Sequence, residues 1–241
     1  MKNIKCTIEA RMGSTRLPGK SMKFLNKNFR LIDFVIINAL NSKYINKKNI
    51  YLLTSRKKNN LSLIKHVKKK YGIKVIIGSD SNVFSRYLYF KKFENFPLLR
   101  LTADNPLVDP LLVDKFVTYF RKTKTDYLTT RAMAHTENWS VKSDFPRGLS
   151  AEIFFSKKLF ENEKRFTIKN QQSPTWFFFN KLFNAKINKF KSFGVYKKLN
   201  LNNTYTIDSK NDYIKVKNFI KVNNCKPGLS NICNFYKKKV K

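Results

Sequence analysis

Acidic residues are scarce in this sequence: its 241 residues include 15 Asp and Glu against 50 Lys and Arg, for a formal net charge of +35. One interpretation is binding to nucleic acid or to an acidic membrane surface, since a basic chain gains affinity by releasing counterions from phosphates. The other is compositional drift, because Lys, Asn, Ile and Phe are enriched together along the whole chain. No RNP-like aromatic motif or zinc-finger spacing accompanies the charge. We therefore expect nonspecific, salt-sensitive binding to polyanions and no specific nucleic-acid partner.

Cysteines, histidines and long apolar runs are also few. The three cysteines, Cys6, Cys225 and Cys233, form no C-x-x-C pair, which favours a reduced, cytoplasmic chain. The two histidines, His66 and His135, have no partners at metal-ligand spacing. No apolar stretch has the length of a transmembrane helix, and the N-terminus lacks a signal-peptide pattern. We therefore expect a cytoplasmic protein without a membrane span.

Strand-length and helix-length apolar segments alternate along the chain. Strands are predicted at Ile4–Ile8, Asn49–Thr54, Lys74–Ile77, Pro97–Thr102, Asp126–Thr130, Leu149–Phe155 and Tyr205–Ile207. Helices are predicted at Leu31–Leu40, at 61–71 with Gly72 as C-cap, around Val83–Phe90, from Pro110 onward, and at Asp212–Val222. This alternation implies a three-layer α/β/α architecture with a mainly parallel sheet.

The length of the chain suits one sizeable α/β domain and is too short for two. We expect a single domain over residues 1–225, followed by a basic C-terminal tail over residues 226–241. The regular alternation weakens over residues 131–183, which we interpret as a less regular segment beside the sheet. Gln171–Phe183 within it is rich in aromatic residues and packs either on the core or on a partner subunit.

The stretch Ala10–Lys20, directly after the first predicted strand, has the composition of an anion-binding loop. Its cations are Arg11, Arg16 and Lys20, and its hydroxyls are Ser14 and Thr15. Gly13 and Gly19 allow a tight turn close to a ligand. Amides, hydroxyls and cations after a strand form a cradle for polyphosphate, whereas the alternative is an ordinary basic surface turn. The stretch is not a P-loop, because that pattern requires glycine at position 14.

Two aspartates follow predicted strands, where an open α/β sheet binds its ligands. Asp104 follows Pro97–Thr102, and Asp208 follows Tyr205–Ile207. The position of Asp104 suits a carboxylate that holds Mg²⁺ together with substrate phosphates. The alternatives are structural: Asp104 as a turn former and Asp208 as the N-cap of the next helix.

Three segments resemble those of the cytidylyltransferases that make CMP-activated acidic sugars, closest to the SpsF-type spore-coat polysaccharide proteins. Ala10–Lys20 resembles the family's signature loop. Thr102–Pro110 resembles its Gly-Asp-x-Pro-Leu-(Ile/Val)-Asp-Pro segment, and Tyr205–Ser209 its Val-Asp-Thr-Pro segment. The CMP-Kdo and CMP-N-acylneuraminate synthetases are more distant relatives. The resemblance implies a nucleotide-diphospho-sugar transferase (GT-A-like) fold. It also implies transfer of CMP from CTP to a sugar acid, with Mg²⁺ as cofactor and release of pyrophosphate, for surface polysaccharide biosynthesis.

The resemblance also implies roles for individual residues. Arg11, Arg16 and Lys20 would act on the triphosphate as catalytic cations, and Asp104 and Asp208 would bind the metal. The implied nucleotide-binding residues are Ala10, Arg11, Met12, Gly13, Ser14, Thr15, Lys20, Thr54, Ser55, Arg86, Thr102 and Ala103. For Arg86, which the resemblance places near the base, a helix-surface arginine is the alternative.

On the sugar side, Phe145–Glu152 resembles the family's Pro-x-Gly-Leu-Asp-x-Glu segment. Arg147 and Glu152 are therefore candidates for sugar binding, and a surface ion pair is the alternative. Ser150 replaces the usual aspartate, and Gln172 stands near where the family has a histidine, so the sugar is not carried over. The family tends to dimerise through the segment corresponding to Arg131–Phe183, which implies a homodimer.

Two other classes of function remain open. A catalytically lapsed polyanion-binding or regulatory protein on the same fold is favoured by the departures on the sugar side and by the charge. A GT-A-type glycosyltransferase would consume a preformed nucleotide sugar and release nucleotide in place of pyrophosphate. Pyrophosphate release from CTP therefore discriminates among the three.

Overall fold

A seven-stranded sheet lies at the centre of the computed structural model, which describes residues 4–93, 95–130, 143–161, 163–166, 175 and 186–232. The strands are β1 (Lys5–Glu9), β2 (Ile50–Ser55), β3 (Lys74–Gly78), β4 (Pro97–Thr102), β5 (Tyr127–Thr129), β6 (Glu152–Phe155) and β7 (Ile187–Lys189). Their order across the sheet is β3-β2-β1-β4-β6-β5-β7. All neighbouring pairs are parallel except those of β6, which runs antiparallel to β4 and β5. The expectation of a mainly parallel sheet is confirmed.

Helices cover both faces of this sheet. The α-helices are α1 (Leu31–Leu40), α2 (Leu61–Tyr71), α3 (Phe84–Tyr87), α4 (Pro110–Lys122), α5 (Ser156–Glu161) and α6 (Lys210–Val222). Short 3₁₀ turns lie at Lys20–Met22, Lys47–Asn49, Lys58–Asn60, Leu88–Lys92, Glu163–Arg165 and Gly194–Lys198. The apolar sides of α1, α2, α4 and α6 share one core with one face of the sheet, while α3 and α5 pack on the opposite face. The predicted three-layer α/β/α architecture is therefore confirmed.

Helix boundaries follow local signals in the sequence. Gly72 has a φ of 62° and ends α2 with its amide bonded to the Lys68 carbonyl, as a glycine C-cap does. Pro110 opens α4, and the Asp109 side chain caps it by accepting a hydrogen bond of 3.0 Å from the Leu112 amide. Both helix ends thus lie where the sequence predicts them.

One strand prediction is wrong, and a second is wrong in part. Tyr205–Ile207 forms no strand, because the segment crosses the loops at the sheet edge and bonds to Arg147 and Asp104 instead of to a neighbouring strand. The strand predicted at Leu149–Phe155 begins only at Glu152. The three-residue strand β7 was not predicted, since so short a segment of intermediate burial has no clear periodicity.

The chain stays packed on the domain beyond residue 225, where the basic tail is expected to begin. The Gly228 amide donates a 2.6 Å hydrogen bond to the Asn38 side chain of α1, and Ile232 is fully buried. Predictions that fall on residues 131–142, 167–174, 176–185 and 233–241 lie outside the described residues, including most of the aromatic segment and of the expected dimer contact. Within the described ranges, no helix combines the length and apolarity needed to span a membrane.

Candidate functional site

Five loops meet at one edge of the sheet. The parallel strands β1, β2 and β4 all end there, and the antiparallel strand β6 begins there, since Arg100 of β4 pairs with Glu152 of β6. The loops that follow β1, β2 and β4 therefore lie beside the segment that leads into β6 and the segment that leads into α6. This is the edge at which an open α/β sheet binds its ligands.

The loop after β1 is closed on itself and anchored to β2. Gly19, at a φ of 69°, donates its amide to the Met12 carbonyl at 2.9 Å. The Met12 amide donates to Asn60 Oδ1 at 2.8 Å, and Asn60 Nδ2 donates to Ser55 Oγ at 2.8 Å. Asn60 is 1% exposed, so these bonds are shielded from water. Sequence reasoning missed Asn60, because one asparagine in a segment rich in Lys and Asn carries no distinguishing signal.

Lys20 lies at the centre of the site. Its Nζ contacts three oxygens: Asp104 Oδ2 at 3.3 Å, Asp208 Oδ1 at 3.1 Å and the Ile207 carbonyl at 2.7 Å. The Lys20 side chain is only 14% exposed. Three residues that are far apart in the sequence are therefore brought to one point.

The Asp208 carboxylate is not a helix cap, so that alternative is wrong. Ser209 caps α6 in its place, and it forms a capping box with Asp212. The Asp208 carboxylate is left to contact cations: Arg16 at 3.1 Å on Oδ1 and Arg147 at 2.6 Å on Oδ2, besides Lys20. Asp208 thus has three cationic neighbours, and its carboxylate faces the site.

Asp104 is held by hydrogen bonds on both its side chain and its backbone. Thr102 Oγ1 donates to Asp104 Oδ1 at 2.6 Å, and the Asp104 carbonyl accepts the Ile207 amide at 2.8 Å. Thr206 Oγ1 donates in turn to Asn105 Oδ1 at 2.8 Å. These bonds join the loop after β4 to the segment before α6, which fixes the distance between the two carboxylates.

Arg147 reaches the site because Gly148 lets two backbones approach closely. Gly148 has a φ of 99°, and the Arg147 carbonyl accepts the Tyr205 amide at 2.6 Å. A Cβ on Gly148 would lie 2.1 Å from the Thr206 amide nitrogen, so only glycine fits. The Arg147 side chain is 67% exposed, with one terminal nitrogen on Asp208.

The paired carboxylates fit the Mg²⁺ that the resemblance implies. One ammonium contacts an oxygen of Asp104 and an oxygen of Asp208, which shows that the two carboxylates converge on a single cation-sized position. Carboxylate oxygens are the ligands that Mg²⁺ takes in proteins. No group of three or more His, Cys, Asp or Glu side chains suited to a metal occurs within the described ranges. Mg²⁺ in proteins usually takes one or two carboxylates, with water and substrate phosphates as its other ligands.

Arg86 is buried and holds the loop after β3. It is 3% exposed, which rules out the helix-surface alternative, and its Nε and a terminal nitrogen donate to the Ser79 carbonyl at 3.2 and 2.8 Å. Burial lowers the pKa of Arg86, and the Glu9 carboxylate opposes that effect. Asp80 in the same loop pairs with Lys57 at 2.8 Å and Arg11 at 3.5 Å. The hydrogen bond from Lys57 lowers the pKa of Asp80.

The other predicted nucleotide-binding residues line the same edge. Ala10, Thr54, Ser55 and Ala103 are buried at strand ends, and Thr54 Oγ1 has no hydrogen-bond partner among the described residues. Met12, Gly13, Ser14 and Thr15 are partly or fully exposed in the loop after β1. The structure thus brings all of these residues to the edge that also carries Lys20, Asp104 and Asp208.

Glu152 differs from the expectation: it is 2% exposed and lies in the core, away from the exposed Arg147 side chain. Arg100 NH1 donates to Glu152 at 2.7 Å, and its other two nitrogens bind Glu9 at 2.7 and 2.8 Å. Tyr87 donates to Glu9 at 2.7 Å. Burial lowers the pKa of Arg100, but the two carboxylates outweigh it and raise that pKa well above its usual value. Glu152 therefore belongs to a buried ionic network with Arg100, and the surface-pair alternative is wrong for it.

Comparison with known proteins places this chain in a family. The family model described as cytidylyltransferase matches residues 6–225. The spore coat polysaccharide biosynthesis protein SpsF of Bacillus subtilis is 36% identical over 130 residues, which is 53% of this chain and 53% of that protein. The chain spans about half the length of the curated relatives it matches.

Two solved structures share the fold over nearly the whole chain. A cytidylyltransferase from Leptospira borgpetersenii superposes with a TM-score of 0.82 at 24% identity, covering 100% of this chain and 95% of that one. A CMP:2-keto-3-deoxy-manno-octonic acid synthetase, solved in complex with CTP, superposes with a TM-score of 0.60 at 16% identity, covering 91% and 98%. The fold of the resemblance is thus confirmed, and the family match extends across nearly all of the described structure. This chain belongs to the cytidylyltransferase family.

Proposed function

We propose that this chain transfers CMP from CTP to a hydroxyl of an acidic sugar and releases pyrophosphate. The observation that carries the proposal is the convergence of Asp104 and Asp208 on Lys20, beside a cationic loop closed by Gly19. A cationic loop suits a polyphosphate, and a carboxylate pair suits a divalent cation that bridges to it. The choice of CTP among nucleotides rests on family membership.

The proposed reaction is a displacement at the α-phosphorus of CTP. The sugar hydroxyl oxygen forms the new bond to phosphorus and loses its proton to solvent. The bond from the α-phosphorus to the bridging oxygen breaks, so that pyrophosphate leaves with the electron pair of that bond. Arg11, Arg16 and Lys20 would neutralise the charge that grows on the leaving pyrophosphate. Mg²⁺ held by Asp104 and Asp208 would supply further neutralisation and orientation of the phosphates. The cationic side chains would thus lower the activation free energy of CMP transfer electrostatically.

The nucleoside end of the proposed site lies at the ends of β2 and β3. Thr54 Oγ1 is buried without a described partner, so it can bond to a ligand without losing an existing bond. Arg86 holds the Ser79 carbonyl and acts on the proposed base pocket through that loop. We therefore propose Thr54 and Ser55 as direct contacts and Arg86 as a positioning residue.

On the acceptor side, Arg147 is the residue that we propose for the sugar carboxylate. Its guanidinium is exposed, and a guanidinium binds a carboxylate through two parallel hydrogen bonds. Its present partner, Asp208, is a proposed metal ligand, so metal binding would free Arg147 for substrate. We leave Glu152 out of the acceptor site, because both its burial and its bond to Arg100 tie it to the core.

The proposed setting is surface polysaccharide biosynthesis, as the name of the Bacillus subtilis relative says of that protein. We also propose a cytoplasmic location, where CTP is available, and a homodimer. The net charge of +35 supports nonspecific binding of polyanions at low salt.

Pyrophosphate release tests the proposal. The purified protein is incubated with CTP, Mg²⁺ and a panel of nonulosonic and other sugar acids, with UTP, ATP and GTP as matched nucleotide controls. We expect release with CTP that depends on one acceptor, together with a CMP-sugar detected by mass spectrometry. Release of nucleotide from a preformed nucleotide sugar would favour a glycosyltransferase. No turnover with any acceptor, together with tight polyanion binding, would favour the lapsed protein.

A further inference from the structure

The Lys20 ammonium pairs with the Asp104 and Asp208 carboxylates in the protein without ligand. It contacts Asp104, Asp208 and the Ile207 carbonyl at 3.3, 3.1 and 2.7 Å, and an ammonium has three protons to donate. The side chain is 14% exposed, so this contact is partly shielded from water and salt. A cation and its counter-charges are thus assembled before any ligand arrives.

We propose that Lys20 occupies the divalent-cation position of the free protein and leaves it when a triphosphate binds, so that the metal binds weakly without nucleotide. The identity of the nucleotide rests on the proposed function. An ammonium and a divalent cation cannot share the position, because both are positive and Mg²⁺ needs oxygens at about 2.1 Å. Lys20 therefore competes with the metal for Asp104 and Asp208.

The geometry allows the exchange without movement of the loop. The backbone around Lys20 is held by hydrogen bonds from its own amide to the Leu17 carbonyl and from Gly19 to Met12. A lysine carries a compact charge on a flexible stem, so rotation of the side chain alone can move the ammonium from carboxylates to phosphates. A multiply charged triphosphate beside the loop offers the ammonium new acceptors, and its departure opens the metal position.

Arg16 and Arg147 also contact Asp208, but they block the position less. Their side chains are 64% and 67% exposed, and neither has a recorded contact with Asp104. Exposed ion pairs are weakened by water and salt. Lys20 is the cation that touches both carboxylates among the described residues.

The competition between Lys20 and the metal changes the apparent metal affinity by a measurable factor. If the metal-competent state is only a small fraction of the free protein, the apparent metal affinity falls by that fraction. A Lys20 that vacates the position in about a tenth of molecules would weaken metal binding about ten-fold. Removing the ammonium restores the intrinsic affinity, and it also reduces the coupling between metal and triphosphate.

The test is a Mn²⁺ titration without nucleotide, followed by electron paramagnetic resonance of the free ion. We expect Lys20→Met to bind Mn²⁺ about ten-fold more tightly than the wild type, or more. Lys57→Met is the matched control, since it removes the same charge from a lysine paired with Asp80, and it should leave the Mn²⁺ affinity at the wild-type value. Equal Mn²⁺ affinities in the wild type and Lys20→Met would overturn the proposal.

Two further measurements distinguish a change in metal affinity from misfolding of the variant. Lys20→Gln keeps a neutral donor, and we expect the same gain in a variant whose urea unfolding matches the wild type. In the wild type, the ¹H–¹⁵N signal of the Lys20 ammonium, identified by its absence in Lys20→Gln, should shift on addition of tripolyphosphate and stay in place with Mg²⁺ alone at the same concentration. A Lys20 signal that stays in place with saturating tripolyphosphate contradicts the proposal.

The outcomes separate this inference from the proposed function. If pyrophosphate is released but the wild type and Lys20→Met bind Mn²⁺ equally well, the proposed function is supported and the proposal about Lys20 is wrong. If no pyrophosphate is released from CTP but Lys20→Met binds Mn²⁺ more tightly than the wild type, the competition between Lys20 and the metal is supported and the proposed function is wrong.

Discussion

The backbone of Gly148 passes against the amide of Thr206, so closely that a Cβ on Gly148 would lie 2.1 Å from that nitrogen. The contact joins the segment that leads into β6 to the segment that leads into α6. Arg147 lies on one side of it and Asp208 on the other, and their side chains meet at 2.6 Å. The acceptor side of the proposed site therefore depends on this one glycine.

Gly148→Ala should disrupt that contact. The new methyl clashes with backbone, and the φ of 99° is unfavourable for alanine, so we expect the free energy of unfolding in urea to fall by about 3 kcal/mol. Gly194→Ala is the control, because Gly194 has a φ of 49° and no atom within 4 Å of a Cβ. It should cost about 1 kcal/mol from backbone strain alone. Equal losses in the two variants would show that the close approach is not what matters.

Asn60→Ala should loosen the loop that carries Arg11 and Lys20. The Met12 amide and the Ser55 side chain both lose a buried partner, which costs about 1–3 kcal/mol. We expect nucleotide affinity, measured by calorimetry, to fall by about ten-fold. Asn28→Ala, which changes an exposed asparagine outside this loop, should bind nucleotide like the wild type. Unchanged affinity in Asn60→Ala would mean that the anchor to β2 is dispensable.

Asp104→Asn and Asp208→Asn should each lower kcat/KM for pyrophosphate release by about 100-fold or more, because each removes a charge from the proposed metal position. Asp126→Asn is the matched control at the opposite edge of the sheet, where Asp126 accepts the Lys186 amide. It should keep wild-type kinetics. Activity that survives in Asp104→Asn would remove Asp104 from the site.

Glu152→Gln should separate a structural role from a sugar-binding role. It leaves the buried Arg100 without one of its two carboxylates, so the free energy of unfolding should fall by about 3 kcal/mol. The KM for the sugar should not change, because the side chain lies in the core. Glu161→Gln, which removes an exposed carboxylate, should have little effect on either quantity. A raised KM for the sugar with unchanged stability in Glu152→Gln would show that Glu152 binds the sugar.

Asp109 should make stability depend on pH. Burial raises the pKa of Asp109 to about 6, while hydrogen bonds from the Leu112 amide and from Tyr196 oppose the rise. An unfolded aspartate titrates near 3.9, so the folded state holds the extra proton between these values. This contribution is complete below pH 4 and is lost as the pH rises through 6, a change of about 3 kcal/mol.

The difference in unfolding free energy between the wild type and Asp109→Asn, followed by urea titration from pH 4 to 8, should show that loss. Tyr196→Phe should move the midpoint of the loss to higher pH, since it removes a hydrogen bond that favours the ionised carboxylate. A difference that stays constant over this range would contradict the burial argument.

The fold was predictable because its signals are local. The periodicity of Leu31–Leu40, Gly72 after α2 and Pro110 at α4 each act within a few residues, and the structure has all three in place. The family resemblance rests on equally compact segments. The segment before α6 was mispredicted because its bonds go to Arg147 and Asp104, which lie about 60 and 100 residues earlier in the chain.

The partners of charged side chains were the least predictable part of the site. Glu152 lies opposite Arg100 only because β6 runs antiparallel to β4 in a particular register, which no local pattern encodes. Asp208 is freed from capping only because Ser209 takes that role. Sequence identified the residues at the sheet edge, whereas the three-dimensional register decides which of them face the ligand.

The most direct test of the central claim is the anomalous scattering of Mn²⁺ in crystals grown with CTP and Mn²⁺. We expect one strong peak bonded to an oxygen of Asp104, an oxygen of Asp208 and oxygens of the triphosphate, with the Lys20 ammonium on the phosphates. A metal peak that contacts neither carboxylate, or a triphosphate bound away from the loop Ala10–Lys20, would contradict it.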